Sequence, residues 1–347
     1  METMNKTIKG YYRYTKDYVD ECHQQGATDV QYFQVDFTTK RDEGFVAVVP
    51  EGRVWGEAGC VITPIGKILW DVSREWDASP DKHSIFQQAT FPPVERTDES
   101  VAVLAKIGSS NYYHWMFDVL PRIHLLNLSG IEVDKYIVPH PLALFQYETL
   151  SILGVNRDRL IEVDSHFHLQ ASRLVVPALP YEAQWACEFV RESMLRRVQP
   201  TLQCSNRRLY ISRQHCIGRT VVNEQDLITA LTPYGFTVVS PESISVKEQV
   251  RMFAEAEIII GPQGSAFTNV FFCKPETQII ELMVPTFVIT STEKICSYLN
   301  LGYHRIMGTS QRNPRYQDSK WYWHGLDNIH VDAWRILHVL KHLSNEF

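Results

Sequence analysis

The feature that most constrains the fold is an alternation of short apolar segments with helical patterns in the second half of the chain. The apolar runs LYI, IIIG and IIEL are each followed by an amphipathic helical pattern and separated by short turns. Strands and helices that alternate in this way predict parallel β-α-β units, with helices on both faces of the sheet. In such a doubly wound sheet, ligands bind outside the carboxyl ends of the strands. Functional residues are therefore expected just after these apolar runs.

The length and the changing pattern of the chain predict two domains. A chain of 347 residues is longer than one typical hydrophobic core accommodates. We predict an N-terminal domain over 1–200, rich in β-strands over 1–100 and α/β over 101–200. A C-terminal domain is predicted over 205–325. A last helix within 326–347 is expected to pack back on the N-terminal domain.

Composition excludes several classes of protein. The net charge of −6 disfavours a broad nucleic-acid surface, which would need clustered Lys and Arg. The seven cysteines are odd in number and form no C-x-x-C pair, which argues against a disulfide framework or a cysteine-rich zinc site. The N-terminus lacks an apolar signal region, and no run of about 18 apolar residues predicts a membrane span. A cytoplasmic protein without a cofactor or metal is expected.

The turn over 261–269 follows an apolar strand and opens a helical pattern. Small residues there let backbone N–H groups approach an anion, and a helix start favours phosphate. The alternative is a plain helix cap after a tight turn, which needs only Gly and Ser. The candidate phosphate-binding residues are Gly261, Gln263, Gly264, Ser265, Thr268 and Asn269.

Three charged residues lie at the same predicted edge of the sheet. Arg213 and Arg219 follow the strand LYIS, and they could neutralise a diphosphate through rigid multidentate donors. Glu281 ends the strand IIEL, where a buried carboxylate needs a partner such as a ribose diol. The alternatives are arginines in a solvated surface loop and a carboxylate that pairs with a local Arg or with the backbone.

A predicted helix in the first half carries a histidine and a carboxylate on one face. Asn111, His114 and Asp118 are spaced for that face, with Trp115 and Arg122 in a neighbouring stripe. A carboxylate beside a histidine could deprotonate an acceptor hydroxyl. A buried His-Asp pair that holds the helix in place is the alternative, and taken alone it is the more common arrangement. A metal site is weaker still, because no third ligand is apparent.

These segments together resemble glycosyltransferase family 61, over about Val101 to Leu282. The sequence NYYHWMFDVLPR is similar to the family's signature helix, RRLYISR to its strand, and GFTVVSPESISVKEQVRMFAEAEIIIGPQGSAFTNVFFCKPETQIIEL to its nucleotide-binding half. The resemblance implies a GT-B-like α/β fold, with two Rossmann-like domains facing a cleft and a β-rich N-terminal segment. It also implies inversion at the anomeric carbon, nucleotide-sugar donors that are commonly UDP-linked, and no essential metal. Gln263 departs from the family, which usually has His there.

The resemblance assigns roles to the candidate residues. The C-terminal domain becomes the nucleotide-sugar side, and the N-terminal domain becomes the acceptor side. Asp118 or His114 is expected to be the base, with Asn111, Trp115 and Arg122 lining the acceptor site or the cleft. The expected enzyme transfers a sugar to a glycan or other hydroxyl acceptor in capsular or surface polysaccharide synthesis, in the cytoplasm or peripheral to a membrane. Two rivals stay open: a non-catalytic nucleotide-sugar or glycan-binding module, and a nucleotide-sugar-modifying enzyme such as an epimerase.

Overall fold

The computed structural model of the chain describes residues 8–37, 43–76, 78–200, 207–316 and 323–344. The chain divides into two units, Met1–Val190 and Arg191–Phe347. The division falls inside a helix, upstream of the boundary expected between the predicted domains. Over the described ranges, no helix is long and apolar enough to cross a bilayer.

The first unit is built on a ten-stranded mixed sheet. The strand order is β1-β6-β5-β4-β10-β7-β8-β9, and β3 joins β2 to β10. The strands are β1 (Gly10–Tyr12), β2 (Gln31–Asp36), β3 (Glu43–Pro50), β4 (Arg53–Trp55), β5 (Cys60–Ile62), β6 (Lys67–Leu69), β7 (Glu95–Val103), β8 (Lys135–Pro139), β9 (Leu160–Val163) and β10 (His168–Pro177).

The strand directions in this sheet correct the expectation of a Rossmann-like first domain. Strands β10, β7, β8 and β9 are parallel, as the α/β pattern of 101–200 predicts. However, β10 also pairs antiparallel with β3 and β4, so the β-rich segment continues the same sheet. Strand β10 is long enough to pair with β7 along one edge and with both β3 and β4 along the other. The two predicted parts of the N-terminal domain therefore share one sheet and one core.

Helices cover this sheet. They are α1 (Thr15–Gln24), α2 (Tyr112–His114), α3 (Leu120–Ser129), α4 (Leu144–Ile152) and α5 (Gln184–Val198), and a π-helical turn over Trp115–Val119 joins α2 to α3. Pro121 explains the π-helical turn, because proline has no backbone N–H to donate to the carbonyl one turn earlier, as an α-helix requires. The helix then ends at Gly130 in a left-handed conformation, as glycine at this position favours.

The second unit confirms the doubly wound parallel sheet predicted from the alternating pattern. Its five strands are all parallel, in the order β12-β11-β13-β14-β15. The chain reverses its winding direction between β11 and β13, and such a switch point opens a crevice at the strand ends. The strands are β11 (Arg207–Ile211), β12 (Phe236–Val239), β13 (Ala256–Pro262), β14 (Gln278–Met283) and β15 (Gly302–Met307), with a separate hairpin of β16 (Thr309–Gln311) and β17 (Asn328–His330).

The last helix of the chain belongs to the second unit. The helices here are α6 (Glu224–Leu231), α7 (Val246–Ala254), α8 (Ser291–Leu299) and α9 (Ala333–Ser344), with a 3-10 helix at Ser265–Phe272. Ile336, Leu340 and Leu343 of α9 are buried in one cluster with Val221 and Leu227. The sequence predicts packing of this helix on the N-terminal domain, whereas these three side chains lie in the core of the second unit. Its apolar stripe completes the core of its own unit.

Candidate functional site

The switch point of the second unit brings together the segments that follow β11 and β13. Gly261 pairs with Glu281 in the sheet, and a Cβ atom on it would lie 2.8 Å from Cβ of Ile211. At Gly264 a Cβ atom would lie 1.9 Å from Nη1 of Arg213. The guanidinium of Arg213 therefore lies directly against the backbone of the turn. A side chain at either glycine would displace these neighbours.

Arg213 and Arg219 converge on this turn. Arg213 donates from Nη2 to the Gly218 carbonyl at 3.0 Å, and Arg219 donates from Nε to the Gln263 carbonyl at 3.0 Å. Arg219 also donates from Nη1 to the Gly325 carbonyl at 2.6 Å. Its backbone has φ of 55°, a left-handed conformation that is uncommon outside glycine and is found at functional sites.

The two guanidinium groups form a cationic pair at this turn. Burial, and then the charge of Arg213, lower the pKa of Arg219 to about 10. Arg213 is 9% exposed, and its Nε is buried without a hydrogen-bond partner. Among the described residues, neither arginine forms an ion pair with a carboxylate. Buried cations are costly unless they are paired, so this arrangement favours an external anion such as a diphosphate.

The rest of the predicted phosphate turn differs from expectation. The segment Ser265–Phe272 is a 3-10 helix, and Thr268 and Asn269 are buried inside it. Asn269 donates to Oε1 of Gln249 at 2.7 Å, so it anchors α7. Thr268 Oγ1 is buried without a hydrogen-bond partner. The expected ligand contacts of Thr268 and Asn269 stay predictions. Ser265 is half-buried at the start of the turn, and its phosphate contact stays a prediction.

Gln263 also serves the local structure. With its amide oriented to match its neighbours, Gln263 donates to the Phe287 carbonyl at 3.1 Å and accepts from the Ile289 N–H at 3.3 Å. Its backbone N–H donates to the Leu282 carbonyl at 2.9 Å. The side chain, 2% exposed, thus positions the loop after β14 instead of reaching a phosphate oxygen.

Glu281 is a core residue. Its carboxylate is 0% exposed and accepts hydrogen bonds from Thr292 at 2.9 Å and from Tyr303 at 2.8 Å. Both carboxylate oxygens are therefore engaged within the second unit, and the expected ribose contact stays a prediction. Burial is the largest influence on its pKa and raises it to about 7, although both hydrogen bonds act in the opposite direction.

The buried carboxylate predicts a pH-dependent stability. The folded protein binds the Glu281 proton more tightly than the unfolded chain, for which the ordinary pKa is 4.5. The contribution of this proton to the free energy of unfolding is fully present below about pH 4.5 and is lost as the pH rises to about 7. Glu281→Gln cannot ionise, so its melting temperature should fall less than that of the wild type between about pH 5 and 7.5. Glu248→Gln, on an exposed carboxylate of α7, is the control, and identical pH profiles in all three proteins would contradict the prediction.

In the first unit, the predicted His-Asp pair forms. Asp118 Oδ2 lies 2.9 Å from His114 Nδ1 and 2.6 Å from the Lys106 ammonium. Burial alone would raise the pKa of Asp118, but the hydrogen bond from His114 and the charge of Lys106 outweigh it and lower the pKa. Asp118 therefore stays ionised, holds the His114 ring and is a weak proton acceptor. The side chain of His114 is 26% exposed, so part of the ring is not covered by the protein.

Lys106 is the functional candidate that sequence reasoning missed. It lies in the loop directly after β7, at the carboxyl end of a parallel strand. The same positional rule that selected Arg213 could have found it. Among the described residues, no group of three or more His, Cys, Asp or Glu side chains could hold a metal ion.

The other three predicted residues of this helix have structural roles. Trp115 is fully buried and donates from Nε1 to Thr149 at 2.8 Å. Arg122 is also fully buried and donates to the Pro177 carbonyl at 2.8 Å. Both side chains thus pack in the core of the first unit, and their expected acceptor or cleft roles stay predictions. Asn111 caps α2 by accepting from the Tyr113 N–H at 2.9 Å, so it precedes the helix instead of sharing its face.

Comparison with known proteins finds a similarity to one family. The family model described as Glycosyltransferase 61 matches residues 112–280, which is just under half of the chain. Over this segment the chain is similar to glycosyltransferase family 61. The matched segment contains the His114–Asp118 pair, the two switch-point arginines and the 3-10 turn. Lys106 and Glu281 lie just outside it.

A curated relative points to the same class of protein. The chain is 32% identical over 89 residues to a beta-1,2-xylosyltransferase of Arabidopsis thaliana. The aligned segment covers 25% of this chain and 17% of the relative, so most of the relative's length has no counterpart in the alignment.

Proposed function

We propose that the protein is a glycosyltransferase that moves a sugar from a nucleotide-diphosphate donor to a hydroxyl group of an acceptor, with inversion at the anomeric carbon. The observation that carries the proposal is the cationic pair of Arg213 and Arg219. Arg213 is buried with an unsatisfied Nε, Arg219 is half-buried, and among the described residues neither forms an ion pair with a carboxylate. Both lie at the switch point of a doubly wound sheet, where nucleotides bind in this fold class. The similarity of residues 112–280 to glycosyltransferase family 61 supports the same activity.

On the acceptor side, His114 is the base in this proposal. Asp118 fixes Nδ1, which leaves Nε2 to take a proton. In one displacement, Nε2 of His114 accepts the proton of the acceptor hydroxyl, whose oxygen attacks the anomeric carbon. The bond from that carbon to the diphosphate oxygen breaks, and the leaving group departs with its electron pair. Asp118 stabilises the imidazolium that forms, as a carboxylate does beside other catalytic histidines.

On the donor side, the arginines receive the departing charge. Two guanidinium groups held in place before the reaction stabilise a developing diphosphate without having to reorganise. The donor-side half of a GT-B enzyme is thus assigned to the second unit and the acceptor-side half to the first. A UDP-linked donor, an acceptor in capsular or surface polysaccharide synthesis and a cytoplasmic location belong to the same proposal.

The presence of two arginines at the switch point, Arg213 and Arg219, predicts that the enzyme needs no metal ion. Transfer of a sugar from a panel of UDP-, GDP- and dTDP-sugars should continue in EDTA, because Arg213 and Arg219 supply the positive charge that a divalent cation supplies elsewhere. Release of nucleoside diphosphate measures the reaction. Loss of activity in EDTA that is restored by manganese or magnesium would contradict this prediction. If the panel neither binds in a thermal-shift assay nor releases a diphosphate, the proposed activity itself is wrong.

The described residues give no support to the epimerase alternative. The triad of Lys106, Asp118 and His114 favours an enzyme over a simple binding module. A binding module needs no ionised carboxylate to orient a partly exposed imidazole. The decisive measurement is donor turnover in the presence of an acceptor.

A further inference from the structure

The first unit contains a cavity of about 460 Å³ beside the His114–Asp118 pair. This volume lies within the range of roughly 300–1,000 Å³ that is typical of small-molecule sites. Lys106 joins the two features, because it lines the cavity and its ammonium bonds Asp118 at 2.6 Å. The family match begins at residue 112, so most of the cavity wall is formed by residues outside the matched segment.

The cavity wall suits a ligand with many hydroxyl groups. It combines Trp55 and Gln88 with the exposed serines Ser110 and Ser165. Amides and hydroxyls both donate and accept hydrogen bonds, as the hydroxyl groups of a sugar do. An indole supplies an apolar face with a polar edge.

The charges of the wall select against an acidic ligand. Glu57 and Glu75 contribute carboxylates, and Lys106 contributes the one ammonium group among the lining residues that the structure describes. That ammonium is already bonded to Asp118, so it is not available to neutralise a ligand carboxylate. His140, also in the wall, pairs with Glu162 at 2.9 Å. Glu75 already accepts from the N–H and the hydroxyl of Ser84. A uronic or sialic acid would therefore meet two carboxylates and no unpaired ammonium group among these lining residues, whereas a neutral sugar could donate to the Glu57 carboxylate.

Trp76 extends this wall towards the histidine. Its indole is 57% exposed and lies so close to Gly108 of the cavity wall that a Cβ atom there would be 2.5 Å from Cζ2 of the ring. The centroid of the same indole is 5.1 Å from that of the His114 ring. An exposed tryptophan thus spans the distance from the cavity rim to the proposed base.

We propose that the cavity and Trp76 together form the acceptor site for a neutral oligosaccharide. The terminal sugar stacks on Trp76 with its reacting hydroxyl beside His114, and the preceding sugar occupies the cavity next to Lys106. This inference rests on the proposed function for the direction of the reaction. The binding site itself is independent of that function. Lys106 acts as a positioning residue, because it touches Asp118 on one side and the cavity on the other.

The test measures binding of sugars to the full chain without any donor. Ligand-observed NMR titrations would use xylotriose, cellotriose, mannotriose and chitotriose as neutral probes and trigalacturonic acid as the acidic probe. At least one neutral trisaccharide should bind, and trigalacturonic acid should bind at least about threefold more weakly, because its carboxylates face Glu57 and Glu75. Trp76→Ala should weaken the neutral probe at least about fivefold, and Trp76→Phe should restore most of the loss.

Trp334→Ala is the matched control, since Trp334 is 66% exposed on α9 of the second unit. This variant should bind the neutral probe as the wild type does. Absence of binding by every neutral trisaccharide, preferential binding of trigalacturonic acid, or unchanged binding in Trp76→Ala would each overturn the proposal. Normal trisaccharide binding in a protein that turns over no nucleotide sugar would leave the acceptor site standing and contradict the proposed transfer instead.

Discussion

His114→Ala is expected to lower kcat by about 10²–10⁴-fold, the usual contribution of a general base. The reason is geometric: Asp118 holds Nδ1 of His114 at 2.9 Å, and the exposed part of the ring is left to take the proton of the acceptor hydroxyl. Melting temperature and UDP affinity should stay near the wild-type values, because the residue is partly exposed and lies outside the arginine site. Steady-state kinetics with a saturating donor measure kcat, and calorimetry with UDP measures affinity.

Asp118→Asn distinguishes the role of Asp118 from that of His114. Asn cannot carry the charge that stabilises the imidazolium, and it leaves the Lys106 ammonium without its carboxylate. Its kcat should therefore also fall, with a lower melting temperature, since an uncompensated buried partner costs about 1–3 kcal/mol. His338→Ala, on an exposed histidine of α9, is the control for His114→Ala. Near-normal kcat in His114→Ala combined with a large loss in Asp118→Asn would make Asp118 the base, and near-normal kcat in both would remove this helix from the mechanism.

Arg213→Ala should weaken UDP binding by roughly 10- to 150-fold, which corresponds to the loss of about 1.5–3 kcal/mol for a charge-assisted contact. The side chain makes one described hydrogen bond, to the Gly218 carbonyl, and its Nε has no partner. Removal of this side chain should therefore weaken UDP binding more than it lowers the stability of the fold. Arg213→Lys should recover only part of the affinity, because an ammonium lacks the planar fork of donors.

Arg207→Ala is the matched control for the arginine site. Arg207 begins the same strand β11, so it lies at the opposite end from Arg213, and its side chain is 49% exposed beside Glu255. UDP affinity should be unchanged in this variant. Calorimetry on Arg213→Ala, Arg213→Lys and Arg207→Ala gives the comparison. Wild-type affinity in Arg213→Ala would show that the donor does not bind at this switch point.

The parallel sheet of the second unit could be predicted from the sequence because its signals are local. Apolar runs such as LYI and III alternate with amphipathic helices, and the carboxyl ends of the strands then locate Arg213 and the turn at Gly261. The His114–Asp118 pair was predictable for the same reason, since residues four apart meet on a helix. Family similarity adds the class of reaction, but the geometry of these groups follows from short-range periodicity.

Contacts between residues distant in sequence were decided by the tertiary structure alone. Strand β10 joins the β-rich and α/β parts into one sheet, and helix α9 completes the core of the second unit. The position of Glu281 at a strand end predicts a ligand contact, but α8 and β15 enclose its carboxylate with Thr292 and Tyr303. The pairing of Lys106 with Asp118 likewise depends on how a loop and a helix pack. The sequence by itself determined which elements form and which chemical groups they carry, whereas burial, which depends on long-range packing, decided which of those groups remain available to a ligand.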